Sequence, residues 1–170
     1  LTHTERPGEN CLPAPRNHPP PLLRLYVIDW ELADIGDAAW DVGSMLQSYL
    51  AFWIASMPKQ ADPEAMHAGA KVPLAEIQPA IGAFWGSYIA ASEAYRDEAA
   101  QFLDRCVRLL AARMMVTAFE RCAWASQMDP TALVLVQTAL NILERPEPVA
   151  VDLLGITEPV QTAREAARAA

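Results

Sequence analysis

Cysteine is scarce in this chain, with three residues in 170: Cys11, Cys106 and Cys122. The number is odd, no two of them form a CxxC pair, and no metal-type spacing occurs. That excludes a disulfide framework and a structural zinc site, and it points to reduced thiols in the cytoplasm. Basic residues are also few: 13 Lys and Arg stand against 21 Asp and Glu, for a formal net charge of −8. No cluster exceeds the scattered Arg105, Arg108 and Arg113, so nucleic acid is not an expected partner. Long uncharged runs are missing too. The longest near a helix, Val42 to Met57, contains Gln47 and stops at Pro58, which is too short for a membrane span. No internal repeat is present.

What the chain does contain is apolar residues, 52% of the total. At 170 residues this suits one domain with a sizeable core. The richest stretch is Leu25 to Gly43. An apolar run, Leu25-Tyr26-Val27-Ile28, leads to Asp29, and Trp30-Glu31 follow. After the turn Ile35-Gly36-Asp37 a helical pattern opens at Ala38, with Asp41 in its first turn. A carboxylate at the end of a buried strand is a common way to hold Mg²⁺ beside a phosphate. Upstream, His3-Thr4-Glu5-Arg6-Pro7-Gly8-Glu9-Asn10 has the spacing of a kinase catalytic loop, H-x-D-x-x-x-x-N, with Glu5 in place of the Asp.

His3 to Asn10, Val27-Ile28-Asp29-Trp30-Glu31 and Gly36-Asp37-Ala38-Ala39-Trp40-Asp41 occur in that order. Together they resemble the motifs of the aminoglycoside phosphotransferase and choline kinase-like family. The match covers about the first quarter of the chain. The resemblance implies a mainly α chain: the C-terminal lobe of a protein kinase-like α+β fold, with a short strand-and-loop catalytic core followed by a helical subdomain. It implies residues 1–43 as catalytic loop and metal-binding strand and 44–156 as helical subdomain; the alanine- and charge-rich composition of 157–170 reads as a frayed tail.

The nucleotide-binding lobe of such enzymes, with its Gly-rich loop, strand lysine and partner glutamate, does not precede Leu1 here. The chain therefore reads as a fragment of a longer phosphotransferase, inactive alone. The resemblance implies a role for each matched residue. Asp29 and Asn10 hold Mg²⁺ and, through it, the phosphates of ATP as co-substrate. Glu5 takes the place of the catalytic Asp and orients the acceptor hydroxyl. His3 and Asp41 support the loop. The acceptor is a small molecule; neither nucleic acid nor a membrane is implied. Glu5 also motivates an alternative: a catalytically degenerate, pseudokinase-like binding module. Its carboxylate sits one methylene further from the backbone, and misplacement by about 1 Å can lower a rate roughly 10²-fold.

Further along, Pro13 to Pro21 form a proline-rich loop that is neither helix nor central strand. A helix is expected from Ala38 to about Met57, capped by Asp37 and closed by Pro58. Lys59 to Val72 read as a polar connector. A second helix spans about Leu74 to Ala94, with Pro79 implying a late start or a kink. A third runs from about Asp97 to Gln127, with Phe102, Leu103, Val107, Leu110, Met114, Phe119 and Cys122 on or near one stripe and its arginines solvated or paired at i, i+4. Asp129-Pro130 starts a fourth, with Leu133, Val134, Val136, Leu140 and Leu143 apolar; Pro146 and Pro148 end it. Val149 to Leu154 should pack back on the bundle. Most of the five tryptophans are expected in the core, and His67 is expected to be exposed without a partner.

Overall fold

The structure is a computed structural model, and it describes residues 11–13, 25–27, 35–59, 62–123 and 129–157. It is mainly helical. A two-stranded antiparallel hairpin, β1 (Cys11–Pro13) with β2 (Leu25–Val27), comes first, in the register Cys11 opposite Val27 and Pro13 opposite Leu25. Among the described residues six α-helices follow: α1 (Ala38–Ser56), α2 (Pro63–Ala68), α3 (Leu74–Ala91), α4 (Ala99–Cys122), α5 (Pro130–Glu144) and α6 (Val149–Asp152). A short 3₁₀ turn, Glu93–Tyr95, joins α3 to α4. Helix α1 runs unbroken across positions 43 and 44.

Local chemistry explains the helix ends. The Asp37 carboxylate accepts the Ala39 N–H at 3.0 Å and starts α1, which closes two residues before Pro58. Asp129 does the same for α5, accepting the Thr131 N–H at 3.0 Å with Pro130 in the first turn. The stretch expected to be a polar connector contains α2, begun by the same pair of signals, Asp62 then Pro63. Helix α3 starts at Leu74, so Pro79 does not delay it. The ring lies inside the helix, where it removes one backbone donor. Helix α4 starts at Ala99, two residues later than expected.

The core is built where α1 and α5 pack on α4. Leu46, Leu50, Phe102, Leu110, Met114, Leu135 and Ile142 are all but inaccessible to solvent. Gly43 allows α1 and α4 to touch. A Cβ there would lie 2.7 Å from the Cys106 carbonyl oxygen and 3.0 Å from the Leu110 nitrogen, both backbone atoms. The segment after α5 folds back as expected, burying Val149, Ala150, Leu154 and Ile156. Gly155, at φ +68°, makes the left-handed turn that brings Ile156 inward.

One expected face is corrected, and a second is resolved only by the fold. Phe119 is 73% exposed rather than part of the α4 core stripe. On α5, Leu133, Val136, Leu140 and Leu143 are exposed, while Thr131, Ala132, Leu135, Ala139 and Ile142 are buried. The α5 sequence is apolar almost all round, so periodicity does not pick the inward face. The close interface with α4 takes small residues there.

Candidate functional site

Of the residues singled out by motif, His3, Glu5, Asn10 and Asp29 lie outside the described residues. The part of the motif region that is described is the backbone on either side of them and the start of α1. Strand β1 begins at Cys11, directly after Asn10, and β2 ends at Val27, two positions before Asp29. Cys11 and Val27 are paired across the ladder. The strand expected from the apolar run is therefore present at Leu25–Val27, and Ile28 lies outside the described residues.

At the start of α1, Asp37 has two commitments. One carboxylate oxygen caps the helix, and the other lies 3.4 Å from Arg105 Nε on α4, an ion pair without hydrogen-bond alignment. Both side chains are nearly half exposed, so the pair contributes little stability, about 0–1 kcal/mol. It ties the helix start to α4. Asp41, half-buried in the first turn, places its charge at the positive end of the α1 dipole. Trp40 beside it is partly buried.

Beside this end of α1 stands a stack of aromatic rings centred on the buried Phe102. Tyr95 lies against it at 4.0 Å between centroids and 9° between planes, Tyr88 at 5.8 Å and 7°, and Trp85 at 6.0 Å and 19°. The Arg105 guanidinium is 5.4 Å from the Phe102 centroid, close enough for a cation–π contact. Burial pushes the Tyr88 phenol above its ordinary range; a hydrogen bond with Ser92 opposes this, while Tyr95, Cys106 and Asp41 add to it. Burial also pushes the Cys106 thiol up to about 12, against the pull of Arg105 and with a push from Asp37. Both groups stay neutral at pH 7, and a buried protonated thiol is a poor nucleophile.

The described part of the site is thus a support. It fixes the start of α1 and the carboxylates on it, and it supplies no nucleophile. Among the described residues, no group of three or more His, Cys, Asp or Glu side chains could hold a metal ion. No described helix is long and apolar enough to cross a membrane.

Arg105, Tyr88 and Tyr95 were not legible as parts of this region. Arg105 was expected to be solvated or paired along its own helix, as Arg108 is with Asp104 at 3.0 Å. Its actual partner, Asp37, is remote in sequence, and no local spacing could reveal it. His67 is exposed as expected, but it has a partner: its ring stands at 84° to that of Trp53, with 5.4 Å between centroids.

The chain matches no protein-family description, no curated protein and no solved structure.

Proposed function

We propose that this chain is the C-terminal lobe of an ATP-dependent, Mg²⁺-assisted phosphotransferase that transfers the γ-phosphate to a hydroxyl group of a small molecule. The observation that carries this reading is the register of the hairpin. A kinase-type site needs one ligand from the loop carrying the asparagine and one from the strand carrying the aspartate, brought to the same place. In this chain Asn10 is bonded to Cys11, Asp29 follows two residues after Val27, and Cys11 and Val27 are opposite one another. The start of α1, with Asp37 as cap and Asp41 in its first turn, is the third motif in the expected order.

The donor set suits the metal. A carboxylate and an amide carbonyl are hard oxygen ligands of the type Mg²⁺ takes alongside water and phosphate. Asn10 and Asp29 would hold the ion, which when bound neutralises charge on the phosphates. Glu5 accepts the hydrogen bond of the acceptor hydroxyl and orients it for in-line attack. His3 holds the loop. Asp41 fixes the loop's position from α1 without touching substrate, and the aromatic stack and Arg105 fix α1. The chemistry belongs to this chain joined to a nucleotide-binding lobe, in a cytoplasmic enzyme.

The test is Asp29→Ala in that longer protein. Mg²⁺-dependent conversion of ATP to ADP with an accepted alcohol should vanish while thermal unfolding of the helical body is unchanged. Full activity in the variant would sink the assignment. Glu5 favours a second reading, a binding module that has lost catalysis. On that reading Glu5→Gln changes no phosphoryl transfer, because the parent has none to lose.

A further inference from the structure

Helix α5 buries one face against the bundle and leaves a second apolar face uncovered. Leu133, Val136, Leu140 and Leu143 are 55%, 39%, 41% and 41% exposed, while Leu135, Ala139 and Ile142 are buried. The four exposed residues follow one another at steps of 3, 4 and 3, so they form a single stripe along the helix. That is the spacing of a seam between two helices, where the side chains of one fit between those of the other. Phe119, 73% exposed, belongs to the Leu133 end: Arg121 Nη2, two residues beyond it on α4, lies 2.6 Å from Asp129 at the start of α5.

Three features of the stripe fit a second copy of this chain. The first is charge. The chain carries a net charge of −8, so two copies repel each other. No Asp, Glu, Lys or Arg occurs from Pro130 to Leu143. The exposed polar residues beside the stripe, Gln137 and Asn141, are neutral and bonded to each other at 2.9 Å. Helix α5 therefore offers a contact on which like charges do not meet, and it offers nothing to a charged partner. The second feature is symmetry. A two-fold contact needs a patch that matches itself. The spacing of the stripe is the same from either end, so in an antiparallel pair Leu133 meets the partner's Leu143 and Val136 meets the partner's Leu140. The third is area. With about 150–250 Å² for an aromatic side chain and somewhat less for an aliphatic one, the five residues expose about 500 Å² of apolar surface per copy. A patch of about 300–600 Å² is the largest on a typical monomer and is often functional. Two copies would bury about 1,000 Å², the lower limit of a specific interface.

We infer that this chain pairs with a second copy of itself, α5 antiparallel to α5, through Leu133, Val136, Leu140 and Leu143, with Phe119 closing each end. The inference is independent of the phosphotransferase reading.

The test is sedimentation velocity on the full chain over a range of concentrations. An interface of this size should give monomer below about 10 μM and dimer towards about 1 mM. Val136→Glu and Leu140→Lys should each weaken association at least about tenfold, because each places an unpaired charge in the contact. Mixed in equal amounts, the two variants should associate again, since the new glutamate and lysine then face each other across the seam. Both positions are exposed, so circular dichroism should show each variant folded. A chain that stays monomeric up to about 1 mM overturns the inference. So does a dimer that either variant leaves intact, or a mixture of the two that stays monomeric, because the pairing is then through another face or in another register.

Discussion

The two ends of α1 are built from similar materials and arranged oppositely. At the first end, Asp37 is engaged by a backbone N–H and by Arg105, and the aromatic rings close on Phe102. At the second, Trp53 lines an open cleft together with Glu144, Arg145 and Asp152. The closed end holds a helix start in place. The charges at the open end make no ion pair with any described residue. Sequence motifs mark the first kind of place, because a helix cap and a strand end have local signatures. They do not mark the second, because a cleft is made by residues from three helices that share no spacing.

Substitutions at the closed end and along the helices should rank how much each contact supports the fold. Phe102→Ala removes the centre of the ring stack and leaves a cavity beside α1; we expect a loss of about 3–5 kcal/mol in chemical denaturation. A loss under about 1 kcal/mol would mean that the closed end is not packed as described. Gly43→Ala, in the second turn of α1, pushes a methyl group into the backbone of α4. The expected loss is about 1–3 kcal/mol, because neither contacted atom can swing away. An unchanged or raised melting temperature would contradict the close helix contact.

Asp129 gives an intermediate effect with a pH signature. Burial pushes its carboxyl up, but the Thr131 N–H and the Arg121 guanidinium outweigh this and leave it below the ordinary value. Arg121 Nε donates to it at 2.7 Å. With the folded value depressed, its stabilisation is complete above the unfolded value of about 3.9 and is lost as pH falls through the folded one. Asp129→Ala should therefore lower stability by about 1 kcal/mol at pH 7 and make no difference at the acid end of that window. A deficit that persists unchanged in acid would show that the cap charge is not its source. Smallest of all, Leu140→Ser on the outer face of α5 should stay within about 0.5 kcal/mol, since Leu140 is already 41% exposed.

That last substitution also shows where the sequence stopped being readable. The start of α1 and of α5, the proline stops and the returning segment at Val149 to Leu154 were legible, because capping and proline act within a few residues. Helix α2 carried the same Asp-Pro signal as α5 at Asp62-Pro63, yet its polar composition concealed it. The inward face of α5 was not legible, because Leu133, Leu135, Leu140 and Ile142 are alike in hydrophobicity and only contact with α4 tells them apart. At the candidate site, Asp41 and the α1 cap were legible from the motif, whereas Arg105, Tyr88 and Tyr95 reach the same region only through folding.

The most direct measurement is a titration of Mn²⁺, standing in for Mg²⁺, followed by electron paramagnetic resonance in the presence of ATP. It would use the longer protein and its Asp29→Ala variant. The phosphotransferase account predicts saturable binding in the parent that is lost in the variant, with the helical signal of both identical. Equal Mn²⁺ binding in the two would contradict it.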